Sequence, residues 1–316
     1  MVSTKTKKIK GKNYLYAEYS FRLPNSKVKK ISKLIKKKQD KDKKEIKDYF
    51  LEKEIEAYKK YASNTYKTDS VFTKEKIERI ESLKVEYKNL IKNITKKQMK
   101  DILDRFTINF TYESNAIEGN SLTLKDVTFI LNENTVPKGK DLREVYETRN
   151  TRIANDLLFK NKIKITIKDI IKLHSILIKD TGVEEGFKKL PNVLAMRNVK
   201  TTPPEKVDEE MKKLINWYNK VKEKEHPIKI ASEFHGKFER IHPFEDGNGR
   251  TGRIIINAML LEVGYPPIII RKTMRIAYFS ALEAIDTGHK LKLERFLLNK
   301  FEKTFKNFFE IYMKYI

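Results

Sequence analysis

Residues 241–253, IHPFEDGNGRTGR, combine a histidine, two acids, three glycines, an asparagine and two arginines in one short stretch. Glycine tolerates positive φ, so the backbone N–H groups of Gly247, Asn248 and Gly249 can turn inward and form a nest for an anion. A helix that begins at about residue 250 would place the positive end of its dipole at the same point. The stretch therefore predicts a phosphate-type anion site.

The charged side chains of this stretch predict a metal ion and a proton acceptor at the same site. Arg250 and Arg253 share one face of the predicted helix, where they would bind phosphates or carboxylates. Asp246 would repel a bound phosphate unless a cation lay between them, which makes it a candidate Mg²⁺ ligand. Histidine is the side chain whose ordinary pKa lies nearest neutral pH, so His242 is a candidate for proton abstraction. A purely structural glycine-rich turn is the alternative, but it leaves two arginines on an apolar helix unexplained.

The loop needs helices on both sides, and hydrophobic periodicity predicts them. From Thr95 onward, the predicted helices occupy about 95–117, 123–132, 140–160, 166–180, 205–222, 228–240, 250–263, 273–286 and 291–313. Residues 182–204 break the pattern with Gly, Pro and β-forming residues, so we expect an irregular loop or a short hairpin there. The predicted fold class is all-α, a helical bundle with one small β-hairpin.

Residues 1–94 are distinguished by a lysine-rich composition. Residues 14–23 are aromatic and favour a strand, the lysine-rich stretch after them predicts helix to about residue 60, and 73–94 shows helical periodicity. We therefore expect a lysine-rich, mainly helical N-terminal region at 1–94 and a second domain at 95–316.

The loop resembles the signature of the Fic family, His-x-Phe-x-(Asp/Glu)-Gly-Asn-Gly-Arg-x-x-Arg. Every fixed position matches: His242, Phe244, Asp246, Gly247, Asn248, Gly249, Arg250 and Arg253. The wider resemblance covers about 110–300, with a catalytic core at about 165–300. It implies a Fic-type helical bundle and transfer of AMP from ATP to a Ser, Thr or Tyr hydroxyl of a protein.

The resemblance also implies a role for each residue of the loop. His242 would deprotonate the target hydroxyl, and Asp246 would hold Mg²⁺. The Gly-Asn-Gly backbone would bind the α- and β-phosphates of ATP, and Arg250 and Arg253 would bind the β- and γ-phosphates.

A second motif lies in TYESNAIEGNSLT, residues 111–123. From the residues alone it is a helix that ends at Gly119, with Glu118 a solvated acid near the helix end. However, Ser114, Glu118 and Gly119 fit the inhibitory pattern of the Fic family, (Ser/Thr)-x-x-x-Glu-(Gly/Asn). The resemblance implies an inhibitory helix at about 110–119, in which Glu118 pairs with Arg253 and holds it away from the γ-phosphate.

Two further segments resemble parts of Fic proteins that contact nucleotide and target. In 275–286, Tyr278, Phe279 and Asp286 would contact adenine or ribose, although core packing explains the two aromatic residues equally well. The hairpin expected at about 190–202 resembles the family's flap. A target protein would dock there by strand addition, at about Asn198 to Thr201.

The amino-acid composition restricts which other classes of protein the chain could belong to. The chain has no cysteine, which excludes a disulfide framework and a thiolate zinc site. It shows neither the apolar stretch of a signal peptide nor an apolar run of membrane-spanning length, so we expect a cytoplasmic protein without a membrane partner. The net charge of +25 raises nucleic-acid binding as an alternative. Lysine far outnumbers arginine, however, which is more typical of solvated helix faces.

The sequence thus predicts a Mg²⁺-dependent protein adenylyltransferase that uses ATP, modifies a target protein and itself, and is autoinhibited by Glu118. Two alternatives remain at this point: removal of AMP from a modified protein by the same residues with water as nucleophile, and a basic nucleic-acid-binding regulator. The sequence leaves open the identity of the target and the formation of a homodimer.

Overall fold

The computed structural model describes residues 2–35, 41–192 and 201–314, apart from the side chains of residues 41–43 and 286. The chain divides into two compact units, Met1–Asn93 and Ile94–Ile316. Within the described ranges, no helix combines the length and the apolar character that a membrane crossing requires.

The first unit consists of an antiparallel sheet followed by two long helices. The three strands lie in the order β1 (Ser3–Ile9), β2 (Lys12–Arg22) and β3 (Val28–Leu34), so β2 is central. The helices are α1 (Lys41–Thr65) and α2 (Lys74–Asn93). Phe21, Leu23, Tyr58 and Val85 form a buried cluster, and they come from β2, the turn after it and both helices.

The expectation of helix through the lysine-rich stretch is wrong for residues 28–34, which form β3. A turn after β2 explains the difference: Ser26 adopts φ +64° and its N–H donates to the Leu23 carbonyl at 2.9 Å. This turn aligns Ile31 with Tyr19 across the hairpin. A high lysine content indicates that a segment is exposed to solvent, but it does not distinguish a helix from a strand. Pro24 and Asn25 are turn-forming residues, and they could have indicated a hairpin after β2.

The second unit is helical, and each helix predicted from Thr95 onward is confirmed. The helices are α3 (Lys96–Ile117), α4 (Leu124–Asn132), α5 (Leu142–Phe159), α6 (Ile167–Ile178), α7 (Val207–Val221), α8 (Pro227–Ile241), α9 (Asn248–Glu262), α10 (Arg275–Asp286) and α11 (Leu291–Thr304). The chain continues beyond α11 through a π-helical turn, Phe305–Phe309, and a last helical turn, Glu310–Met313. Residues 193–200, where most of the expected hairpin falls, lie outside the described residues.

Side-chain caps explain why several of these helices begin where they do. The side chains of Thr95 and Thr123 each accept a hydrogen bond from the N3 backbone N–H, and their own backbone N–H groups donate to the N3 side chain, which completes a capping box. Asp141 and Thr166 cap α5 and α6 with one side-chain hydrogen bond each, accepted from a backbone N–H of the first helical turn. The starts of the helices are therefore encoded locally.

Helix α9 is the centre of the second unit and packs against α5, α6 and α8. Nearly all of its side chains are buried, including Arg250, Arg253 and Asn257. Gly252 lets α8 approach closely, because a Cβ atom at this position would lie 2.9 Å from the His235 ring. The start of α9 is therefore held rigidly from several sides.

A glycine in α8 makes a second close approach that can be tested. A Cβ atom at Gly236 would lie 1.9 Å from Cδ1 of Ile285 in α10. In an open helix Gly→Ala stabilises by about 0.5–1 kcal/mol, but overpacking a core costs about 1–3 kcal/mol. We expect Gly236→Ala to lower the free energy of unfolding, measured by urea denaturation. Adding Ile285→Val, which removes Cδ1, should restore part of the lost free energy of unfolding. A Gly236→Ala protein more stable than the unchanged one would contradict this close packing.

Candidate active site

The loop between α8 and α9 is anchored by Phe244, whose side chain is fully buried. Its ring stacks on His174 of α6, with the ring centroids 3.7 Å apart. Nε2 of His174 lies 2.9 Å from the Asp246 carbonyl oxygen, and because a carbonyl only accepts, Nε2 carries the proton. Burial lowers the pKa of His174 to about 4, so the ring is neutral near pH 7. His174 thus supports the loop through this ring stack and this hydrogen bond.

Asn248 closes the same loop with its side chain. Its Oδ1 accepts the Phe244 N–H at 2.9 Å and its Nδ2 donates to the Phe244 carbonyl at 2.8 Å. Gly247, with φ +76°, caps α9, and the first intrahelical bond runs from the Thr251 N–H to the Gly247 carbonyl. The N–H groups of residues 248–250 precede that bond. They are the unpaired N–H groups of a helix N-terminus, the kind of position at which anions commonly bind.

His242 ends α8 in the left-handed conformation, with φ 51°, while its N–H still bonds to the Phe238 carbonyl. Its ring Nδ1 lies 3.3 Å from the Glu239 carbonyl oxygen and 3.8 Å from Oε2 of the same residue. A carbonyl acceptor places the proton on Nδ1 and the lone pair on Nε2. The ring is therefore oriented as a general base requires, with Nε2 as the proton-accepting atom.

Arg253 is buried and contacts the end of α3, where the sequence predicts an inhibitory motif. Its Nη2 lies 2.7 Å from Oε1 of Glu118. Its Nε donates to the Ser114 hydroxyl and its Nη2 to the Ser114 carbonyl, both at 2.9 Å. Gly119, with φ +105°, ends the helix directly after Glu118. All three residues of the predicted motif thus act at Arg253, two by contact and one by ending α3.

Gly249 makes room for this ion pair. A Cβ atom at position 249 would lie 2.1 Å from Oε1 of Glu118 and 2.8 Å from Nη1 of Arg253. Within the part of the chain that the structure describes, Nη1 of Arg253 is buried without a hydrogen-bond partner. The glycine therefore allows a carboxylate to reach the start of α9, where the phosphates of a nucleotide would otherwise lie.

Asp246 and Arg250 belong to a second charged group, which continues onto α5. Oδ2 of Asp246 lies 2.5 Å from Nη2 of Arg143 and 3.4 Å from Nη2 of Arg250. Glu147 connects the two arginines, at 3.0 Å from Nη1 of Arg250 and 3.5 Å from Nε of Arg143. The other carboxylate oxygen of Asp246 accepts the Gly247 N–H at 2.6 Å.

The side chains around Asp246 fit a metal ion that would bind together with a phosphate-containing molecule. Across the described residues, no group of three or more His, Cys, Asp or Glu side chains could hold a metal alone. The Asp246 carboxylate is 43% exposed and already attracts two guanidinium groups. Mg²⁺ commonly uses one or two carboxylates and completes its shell with phosphate oxygens and water. One exposed carboxylate next to a phosphate site meets that requirement.

These residues line a cleft of about 790 Å³, within the range typical of small-molecule sites. Of the predicted site residues, the lining includes Glu118, His242, Asp246, Gly249, Arg253, Tyr278 and Phe279. Gly247, Asn248 and Arg250 lie behind this surface and shape the loop.

The predicted nucleobase residues differ in exposure. Tyr278 is buried, and its hydroxyl lies 2.6 Å from Nε2 of His235. Phe279 is partly exposed, with the guanidinium of Arg275 over its ring. Asp286 is the last residue of α10, and its side chain lies outside the described part of the structure. The buried His235 thus contacts the hydroxyl of Tyr278.

The segment before the expected flap is hydrogen-bonded to the loop between α8 and α9. Asn192 donates from Nδ2 to the carbonyls of Phe244 and Glu245, and the Lys188 N–H bonds to the Pro243 carbonyl. Nζ of Lys188 reaches the Thr201 hydroxyl at 3.0 Å. Of the predicted docking residues only Thr201 is described, since Asn198, Val199 and Lys200 lie outside the described residues.

Sequence reasoning missed several residues of this site: Arg143, Glu147, Lys188, Asn192 and Arg275. Arg143 and Glu147 are four residues apart on α5, a spacing that predicts a helix ion pair but not its partners on α9.

A helical bundle with this loop at the start of a buried helix defines the Fic fold, and the comparisons with known proteins agree. Residues 164–260 match the model of the Fic/DOC family. A Fic-domain-containing signaling protein from Bacteroides thetaiotaomicron superposes with a TM-score of 0.66 at 25% identity, over 72% of this chain and 94% of that one. Fic-1 from C. elegans shares the fold, with a TM-score of 0.67 at 23% identity, over 77% and 74% of the two chains. Residues 164–260 are therefore similar to the Fic/DOC family, and the second unit shares the Fic fold.

Curated relatives are named protein adenylyltransferase Fic. The one from Nematostella vectensis is 34% identical over 212 residues, which span 65% of this chain and 49% of the relative. The one from Drosophila willistoni is 33% identical over 201 residues, 61% of this chain and 40% of the relative. The matches thus span less than half the length of these two relatives.

The support that His174 gives to the loop can be measured. His174→Ala removes the stack on Phe244 and the hydrogen bond to the Asp246 carbonyl. We expect it to lower the free energy of unfolding by about 2–4 kcal/mol, within the range for a lost core contact. His289→Ala, an exposed histidine, is the control. Equal stability of the two variants in urea denaturation would show that the stack does not hold the loop.

Proposed function

We propose that the second unit is a Mg²⁺-dependent protein adenylyltransferase that is autoinhibited by Glu118. The observation that carries the proposal is the cleft itself. His242, Asp246 and Arg253 line one cavity at the N-terminus of α9. A base, a metal-binding carboxylate and a phosphate-binding arginine are the groups that such a transfer needs. The names of the curated relatives support the same activity.

In the proposed reaction, the oxygen of a target hydroxyl attacks the α-phosphorus of ATP. A bond forms between that oxygen and the α-phosphorus, the bond to the bridging oxygen of the β-phosphate breaks, and pyrophosphate leaves. Nε2 of His242 takes the hydroxyl proton. The N–H groups at residues 248–250 hold phosphate oxygens in place, so positioning and charge neutralisation supply most of the rate enhancement.

Asp246 is the residue that would hold Mg²⁺, which supplies positive charge to the phosphates when bound. The cation would also relieve the repulsion between the Asp246 carboxylate and the nucleotide. The target segment would dock at about Asn198–Thr201, beside the catalytic loop to which Lys188 and Asn192 are tied. The protein itself is a further proposed substrate.

Inhibition follows from competition for Arg253. One guanidinium cannot serve both the Glu118 carboxylate and a γ-phosphate in the same geometry, and Nη2 is already bound to Glu118 at 2.7 Å. Because position 249 is a glycine, the Glu118 carboxylate can lie close to the N-terminus of α9, in the space that the phosphates would need. Glu118 would therefore prevent productive ATP binding until α3 releases it.

Replacing the proposed base should separate chemistry from binding. A general base typically contributes 10²–10⁴-fold, so His242→Ala should lose about that factor in AMP transfer from labelled ATP. Calorimetric ATP affinity should change little, because residues 248–250 and Arg253 bind the phosphates. His289→Ala controls for loss of a histidine. Transfer by His242→Ala at the rate of the unchanged protein would rule out His242 as the base.

Removing the inhibitory carboxylate should accelerate transfer. A hydrogen bond to a charged group is worth about 1.5–3 kcal/mol, which corresponds to a rate increase of roughly 10–100-fold. We expect Glu118→Gly to show this gain in self-modification and target modification. Arg253→Ala should be inactive with or without Glu118, because the arginine also binds the nucleotide.

A matched control for the Glu118 variant is Glu113→Gln, which removes an acid from the same helix away from this cleft. It should leave the rate unchanged. If Glu118→Gly is no faster than the unchanged protein, the inhibitory role fails. An accompanying loss of AMP removal from a modified target would then indicate that Glu118 positions water for the reverse chemistry.

A further inference from the structure

Arg143 occupies the carboxylate that the proposed function assigns to the metal. Its Nη2 lies 2.5 Å from Oδ2 of Asp246, the shortest of that oxygen's contacts with the two arginines. Oδ1 is engaged by the Gly247 N–H. In this arrangement a guanidinium supplies the positive charge that a divalent cation would bring. The two cations need the same oxygen, so they compete for it.

The two arginines around Asp246 differ in how easily they can leave. The Arg250 side chain is 2% exposed and lies 3.0 Å from Glu147, so it is fixed in the core. The Arg143 side chain is 49% exposed and extends from the first turn of α5. Arg143 is therefore the exchangeable partner.

Glu147 provides a place for Arg143 after it leaves Asp246. Oε1 of Glu147 is already 3.5 Å from Nε of Arg143, one helical turn away on α5. A side-chain rotation can replace the Asp246 contact with a closer contact to Glu147 without moving the backbone. The exchange costs little, because an ion pair at the surface has a small net value.

We propose that Arg143 competes with the divalent cation for Asp246 and so raises the cation concentration that the site requires. The inference rests on the proposed function, in which Asp246 is the metal ligand. It assigns to Arg143 a role that is distinct from phosphate binding. An Arg143 that bound phosphate would support nucleotide binding, whereas an Arg143 that competes with the metal opposes cation binding.

The test measures metal binding directly, without AMP transfer. Mn²⁺ is titrated into the full chain saturated with a non-hydrolysable ATP analogue and followed by electron paramagnetic resonance. Asp246→Ala defines the signal that does not depend on this site. We expect Arg143→Gln to increase the Asp246-dependent affinity roughly two- to fivefold, the range for an exposed ion pair. Arg152→Gln is the control, because Arg152 lies on the same helix and lies 2.5 Å from a different aspartate, Asp104.

Three outcomes would overturn the inference. The first is an equal or lower Mn²⁺ affinity in Arg143→Gln. The second is the same gain in Arg152→Gln, which would reflect net charge alone. The third is the absence of Asp246-dependent binding in both the unchanged protein and Arg143→Gln.

A second measurement distinguishes the phosphate role. Calorimetry of ATP in EDTA should give similar affinities for Arg143→Gln and the unchanged protein. Affinity more than fivefold weaker in the variant would make Arg143 a phosphate ligand instead. Because neither measurement uses AMP transfer, failure of the adenylyltransferase proposal would appear separately, as a lack of transfer in the Glu118→Gly protein.

Discussion

The burial of the Arg253 guanidinium at the first turn of α9 is the constraint on which the site depends. A cation this deep in the core must have partners, because an unpaired buried charge is strongly unfavourable. Ser114 and Glu118 supply them from α3, which lies far away in sequence. The contact that stabilises Arg253 in the core is thus the same contact that would inhibit the proposed enzyme.

The charges of the site are compensated before any ligand binds. Arg253 pairs with Glu118, Arg250 with Glu147, and Asp246 with Arg143. Binding of a metal and a nucleotide to this site would therefore exchange partners rather than add new charges. Only the Asp246–Arg143 pair is about half exposed, so it can break at modest cost. The buried Arg250 and Arg253 would instead need a ligand that replaces their present partners.

The backbone that carries these charges is held from several directions. His174 supports Asp246 and Phe244 from α6, Asn248 closes the loop, and Asn192 joins it to the segment that leads towards residues 193–200. Gly252 lets α8 and α9 pack closely. These contacts fix the backbone of the loop from several neighbouring segments, as a preorganised site requires.

The sequence by itself determined the helices of the second unit and the loop signature, because caps, periodicity and glycine-rich turns act over a few residues. The resemblance to the Fic family added the pairing of Glu118 with Arg253. Only the tertiary structure decided that Arg143 reaches Asp246 across 103 positions, that His174 supports the loop, and that residues 28–34 form a strand. Partners that are distant in sequence meet through helix packing, and no local pattern encodes which charged side chains will share one cleft.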